Sequence, residues 1–166
     1  MLVALPELHR TWAFGDGWAA DEAALEAVRA LRAAVRALFA YAVRPGEPSP
    51  ADAARILPPD EALRRLNAAA GAVPTVSRPD WAPGRDPVAR DHPTGAIAER
   101  NALPAAALAR AVIGFLTGPD RAALRACHAP RCVRYFIKEH PLQEWCKPSC
   151  GNRARVARHH ERHRAT

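Results

Sequence analysis

Long apolar runs are missing from this chain. No stretch approaches the roughly 18 uninterrupted apolar residues of a membrane-spanning helix, so no span is expected. The opening MLVALPELHRTW also lacks a basic flank, and Pro6, Glu7, His9 and Arg10 cut its apolar run short of a signal peptide. The chain is therefore expected to remain in a reducing cytoplasm, where cysteines are thiols or metal thiolates rather than disulfides. No Ser/His/Asp set, phosphate-binding loop or suggestively spaced carboxylate pair is present, and no internal repeat; an enzyme is not expected. Lysine is nearly absent, with 2 Lys against 22 Arg. Together with abundant alanine this looks like GC-rich coding, so the arginine count alone says little about ligands.

What is present is 166 residues, 49% of them apolar, much of that alanine. Alanine favours helix but buries little area, which points to a helical, closely packed core of modest energy. The length suits one ordinary domain plus a small module, placed at 1–120 and 121–166. The net charge of +7 sits almost entirely in the second: residues 127–166 carry nine Lys or Arg against three Glu.

Periodicity predicts a helix over 21–43, with Leu25, Val28, Leu31, Val35, Leu38 and Ala42 on one face and Pro45 and Gly46 as its stop. Ser49, Pro50 and Asp52 read as the start of a second, short helix to about Leu57. After Pro58 and Pro59, helix resumes from Glu61 to Ala70, with Leu63 and Leu66 facing inward and Gly71 ending it. Residues 71–95, rich in proline, read as an irregular surface stretch or a poor hairpin, pinned by Trp81, in preference to a ligand-binding lid. Helix returns between about 96 and 117, with Leu108, Val112, Phe115 and Leu116 on one face and Pro104 either starting or kinking it. Only Arg121–Ala126 separates this region from the first cysteine, so the two parts are expected to pack together.

All four cysteines lie in the last forty residues: Cys127 and Cys132 in CHAPRC, Cys146 and Cys150 in WCKPSCGNR. Two close pairs separated by a medium loop have the spacing of a tetrahedral zinc site. A forty-residue segment cannot stabilise itself by apolar burial, whereas structural zinc contributes on the order of 10 to 16 kcal/mol. One Zn2+ is therefore the expected cofactor, with Arg131, Lys147 and Arg153 near enough in sequence to offset the charge of four thiolates. Pro148 suits a first helical turn, which would place Cys150 where the helix dipole favours thiolate. Gly151 leaves room beside the knuckle, and Asn152 can hydrogen-bond near the helix start. Val133, Tyr135, Phe136, Ile137 and Trp145 can form a short hairpin whose aromatics cover the metal, read as the module's minicore in preference to base-stacking, and His128 and His140 are expected to be bystanders. Beyond the cysteines, Arg155, Arg158, His159 and Arg162 fall on one helical face, the pattern that tracks a phosphate backbone, with Arg153 able to reach the site or outward to phosphate. Val156 is the one large apolar residue there, so burial does not explain the helix. His159, His160 and His163 are read as groups titrating near neutrality rather than as a second, weak metal site.

These residues resemble the CGNR zinc finger family, through Cys150, Gly151, Asn152 and Arg153, the paired knuckles, Phe136 four residues after Cys132, the Trp145 and Cys146 dipeptide, and the basic Arg155. The family typically carries a preceding alanine-rich ABATE domain and is described as stress-induced bacterial transcription regulators; residues 21–126 are similar in pattern. The chain departs from the family at Lys138, His140, Gln143 and Glu144 between the knuckles, and the family's opening Leu-Asp-Phe type strand is not evident before Thr11, a divergent or late start. The resemblance implies a mainly α fold, α+β overall: an alanine-rich helical domain with little or irregular β, then a small treble-clef-like finger. It implies a regulator whose finger helix contacts DNA through Arg153, Arg155, Arg158 and Arg162, with the first domain in ligand sensing or assembly. The alternative is a zinc-stapled module binding RNA or an acidic protein.

Overall fold

A computed structural model of the chain describes residues 21–43, 46–52, 55–94 and 100–164. The sequence expectations for the opening segment, before Thr11, and for the proline stop at 45 lie outside these residues.

Helix α1, Glu22–Ala42, starts where Asp21 takes an extended conformation and its Oδ1 accepts the Ala24 N–H at 2.7 Å. This N-cap satisfies one of the four unpaired donors of the first turn, and Glu22 beside it complements the dipole. The buried face carries Ala24, Leu31, Ala34, Val35, Ala37, Leu38, Phe39 and Ala40. Leu25, expected to face inward, is instead 42% exposed, because small alanines let the neighbouring helices sit closer to a narrower stripe. The chain turns at Gly46, whose N–H donates to Val43 O at 2.9 Å. A Cβ there would lie 2.9 Å from the same carbonyl, so the turn needs glycine.

No α-helix forms at Ser49–Asp52. These residues make successive turns, Asp52 N–H donating to Ser49 O and Arg55 N–H to Asp52 O, each at 2.9 Å. Ser49 and Asp52 are both buried and spend their side chains on long-range partners rather than on a helix cap.

Helix α2, Pro59–Gly71, begins with proline in its first turn and buries Ala62, Leu66 and Ala70, while Leu63 is 49% exposed rather than inward. Its end is closed from outside: the Arg110 guanidinium donates to Ala70 O in the last turn at 2.7 Å and to Val73 O just beyond it at 2.6 Å. One arginine from the next helix thus satisfies two acceptors at a helix end. Helix α3, Leu103–Thr117, carries Pro104 in its first turn, so the proline starts the helix and does not kink it. Its buried residues are Leu103, four alanines and Val112. The three helices pack mutually around Leu31, Leu38, Phe39, Leu66 and Val112.

Between α2 and α3 the chain forms an antiparallel hairpin, β1 (Thr75–Asp80) and β2 (Val88–Pro93), registered Thr75 to Pro93 and Asp80 to Val88. Proline is tolerated in it because each strand of a two-stranded sheet has a free edge. Trp81 is 72% exposed, too open to be the anchor expected of it among the described residues.

After a 3-10 turn at Pro119–Ala123, β3 (Leu124–Ala126) pairs antiparallel with β4 (Tyr135–Ile137), and helix α4 runs from Pro148 to Arg164. The partner of β4 is therefore the strand before Cys127; the expected hairpin among residues 133–145 does not form. The pairing also ties the two regions together. Leu124 is buried in the helical core, and the Tyr135 ring meets Phe39 edge-on at 5.8 Å, with Phe115 on another side of Phe39 at 5.5 Å. The fold is mainly α with two small sheets, and no helix among the described residues is long and apolar enough to cross a membrane.

Candidate metal centre

The two cysteine pairs reach one point from different kinds of backbone. Cys127 and Cys132 flank a tight turn between β3 and β4, in which Cys132 N–H donates to Ala129 O at 2.9 Å. Pro130 occupies the second position and Arg131 the third, with φ of 60°, the pattern of a type II turn. Left-handed backbone at a residue with a Cβ is unfavourable by about 1–2 kcal/mol. It persists here because both ends are fixed: Cys127 N–H donates to Arg134 O at 2.9 Å, carrying the ladder up to the knuckle. Cys146 and Cys150 come from a turn running into α4, where Cys150 N–H donates to Lys147 O at 3.0 Å and Pro148 opens the helix.

All four Sγ atoms lie within 4.8 Å of one another. Cys132 and Cys146 are 3.8 Å apart, Cys146 and Cys150 3.5 Å, and Cys132 and Cys150 3.8 Å. A tetrahedron of thiolates at a Zn–S distance of about 2.3 Å has edges of about 3.8 Å, so these three sulfurs already form one of its faces. The four are free thiols, three buried and Cys146 half-buried. The donor set therefore fits one structural Zn2+, with no position left over for water.

The surroundings hold this arrangement. Phe136 and Trp145 pack against the cysteine cluster, so both are placed where the sequence expected, although Phe136 arrives from β4. Gly151 is buried against the indole: a Cβ on it would stand 3.0 Å from Trp145 Cδ1. The glycine is thus the space that the ring's edge occupies. Asn152 Oδ1 accepts from Arg155, inside the first turns of α4.

Electrostatics favour a cation at the centre. Burial pushes the Cys132 and Cys146 thiols up. At Cys150 burial acts the same way, yet hydrogen bonds from Cys146 and from the Arg153 guanidinium outweigh it and its pKa falls. Arg153 Nη2 donates to Cys150 Sγ at 3.1 Å, and the thiolate in turn raises the arginine. A divalent ion resolves the conflict by favouring deprotonated sulfur at every position. Of the two directions open to Arg153, the structure shows the inward one. Among the described residues Arg131 and Lys147 make no such bond.

His128 and His140 stand outside the cluster. His128 Nε2 donates to Glu47 O at 2.9 Å, and His140 Nδ1 accepts from the Leu142 N–H at 3.2 Å. The His128 contact belongs to a seam that sequence reasoning missed. Ser49 Oγ donates to Cys132 O, and the buried Asp52 pairs with Arg36 of α1, so segment 46–52 clasps the first knuckle to the helices. The Tyr135 hydroxyl and Asp52 Oδ2 make no well-formed hydrogen bond. They are still near enough that burial, reinforced by the Asp52 charge, pushes the phenol up to about 12. The signal for this seam was Ser49 and Asp52 themselves, which resemble a helix start in sequence and differ from one only in being buried.

From this centre α4 projects with little support. Its buried residues are Cys150, Gly151 and Ala154, all in the first two turns. Beyond them Arg155, Arg158 and Arg162 are exposed, as is Val156 at 56%. Arg162 Nε donates back to Arg158 O at 3.3 Å, and the imidazoles of His159 and His163 approach to 3.1 Å.

Compared with models of protein families, residues 123–163 match the CGNR zinc finger, and residues 6–119 match ABATE, described as "Putative stress-induced transcription regulator". No curated protein matches the chain.

Proposed function

Since this chain belongs to the ABATE family of transcription regulators and carries a CGNR zinc finger at 123–163, we propose that it acts in the bacterial cytoplasm by binding DNA through α4. The observation that carries this reading is a helix of 17 residues whose buried positions end at Ala154 and whose arginines and histidines beyond it are all exposed. At a rise of about 1.5 Å per residue it spans about 25 Å. An amphipathic packing face is absent, so the helix is not retained for the core. Arg155, Arg158 and Arg162 lie along it at spacings of three and four, presenting guanidinium groups that pair bidentately with phosphate oxygens. Arg153 contributes by holding Cys150 and thereby the angle at which α4 leaves the finger.

In this reading the zinc ion is structural. Bound by Cys127, Cys132, Cys146 and Cys150, it fixes the knuckle relative to the helix start, and its filled coordination sphere supports no catalytic role. The helical region serves ligand sensing or assembly, and the seam at Ser49, Asp52 and His128 is the route by which a change there would reach the finger. The rival is that zinc holds a docking surface and the same exposed cationic helix binds an acidic protein or structured RNA.

Fluorescence anisotropy with a short duplex tests the proposal. Affinity should fall with salt at a log–log slope of about 0.9 per phosphate contacted, and the double change Arg155→Ala, Arg158→Ala should flatten that slope by about two contacts. Unchanged slope and affinity would remove α4 as the contact. Indifference to duplex together with retention on an acidic protein or a structured RNA would select the rival.

A further inference from the structure

Outside the cysteine cluster, α4 brings two further metal-binding groups together. His159 and His163 are one turn apart on the same helix face, with Nε2 atoms 3.1 Å apart and ring centroids 4.3 Å apart. We propose that this pair is a second, exchangeable site for a divalent transition metal of the nickel, copper and zinc class, held by two imidazoles and otherwise by solvent.

The geometry carries it. Two nitrogens each about 2.0–2.1 Å from one ion stand about 2.9 Å apart at a square angle and about 3.4 Å apart at a tetrahedral one, and the observed separation falls between. In both rings the nitrogen that makes this approach is Nε2, the one distant from the backbone. Without an ion, that separation suits one ring donating its Nε2–H to the other; with an ion, both Nε2 lone pairs go to the metal and each ring carries its proton on Nδ1. Imidazole rather than carboxylate donors exclude calcium and magnesium as preferred occupants. Glu161 is two residues from each histidine, on another side of the helix, and does not complete the set.

The same surroundings set the strength. Arg155, Arg158 and Arg162 share this helix and oppose a second positive ion, while both imidazoles are exposed and remain hydrated until the ion arrives. The site is therefore weaker than the tetrathiolate centre and exchanges on its own. An occupant would clamp residue 159 to residue 163 along a part of α4 in which no side chain is buried, stabilising helix there. His160, whose ring lies edge-on to His159 at 6.0 Å, stands three residues before His163 and offers the rival pairing, which the change His160→Ala separates from this one.

Calorimetric titration of untagged, zinc-loaded full-length chain with Ni2+ decides it, with zinc content measured on the same samples. One Ni2+ per chain is expected for the unaltered protein and for His160→Ala, with zinc retained and ellipticity at 222 nm strengthening on addition. Loss of one imidazole through His159→Ala or His163→Ala should weaken binding at least about tenfold, near 1.4 kcal/mol, and abolish the gain in helix. Saturable binding that is equal in all four proteins, or no saturable binding by the unaltered chain, would overturn the proposal.

Discussion

Where the helical region buries Leu31, Leu38, Phe39, Leu66 and Val112, the finger buries Cys127, Cys132 and Cys150 with Ala129, Gly151 and Ala154. The first set removes large apolar surfaces from water at about 25 cal/mol per Å2, and helices follow because their stripes need one another. The second set has almost no such surface to remove. Among the described residues of the finger, the one large aliphatic that is buried, Leu124, lies in the core of the other region. Two neighbouring parts of one chain thus rest on different forces, apolar burial in one and metal–thiolate bonds in the other. A stretch rich in arginine and poor in buried aliphatic residues is ordered chiefly by the second means, and that leaves the outer surface of α4 available for charge.

The largest effect that would break this contrast comes from the metal ligands. Cys146→Ser should remove bound zinc and forfeit most of an apparent 10–16 kcal/mol, collapsing the near-ultraviolet signal of Trp145 while α1 to α3 retain their far-ultraviolet signal. Zinc analysis and circular dichroism check both halves of the statement. Leu66→Ala, at a site 1% exposed, should lower the stability of the helical region by about 2–5 kcal/mol in urea unfolding without changing zinc content. A fall in zinc content would show that the two forces are not separable.

The seam offers a smaller and pH-dependent effect. Because the folded pKa of Tyr135 is raised, its contribution is fully present below the ordinary phenol value near 10 and is lost as pH climbs through about 12. Stability should decline over that window by about 2 kcal/mol, and Tyr135→Phe should abolish the part of the decline that tracks absorbance of the phenolate at 295 nm. At the small end, Arg131→Gly should relieve the left-handed residue of the first knuckle. The gain is about 0.5 kcal/mol, since relief of about 1–2 kcal/mol is partly offset by the greater freedom of glycine in the unfolded chain. A competitive zinc-transfer assay would register it as slightly slower loss of metal.

Sequence made the metal ligands readable because coordination chemistry is local: two close pairs at a fixed spacing state their geometry without any fold. The long helices were readable too, through the 3.6-residue recurrence of Leu31, Val35 and Leu38, whereas Pro104 left start and kink open until the fold placed it in the first turn. Leu25 and Leu63 misled because alanine does the burying in this core, and a stripe of leucines overstates how wide the interface is. Ser49 and Asp52 misled for a different reason. Their side chains satisfy Cys132 and Arg36, both distant in sequence, and no local pattern distinguishes that from a helix cap. The hairpin of 75–93 was obscured by prolines that a two-stranded sheet admits, and the partner of Tyr135–Ile137 by a pairing that spans the first knuckle.

Hydrogen exchange on the full-length chain before and after stripping its metal compares the two regions in one experiment. Amides of β3, β4 and the first turns of α4 should lose their protection with the metal, while those of α1 to α3 keep most of theirs. Undiminished protection at Tyr135–Ile137 and Cys150–Ala154 in the stripped chain would contradict a finger ordered by its metal.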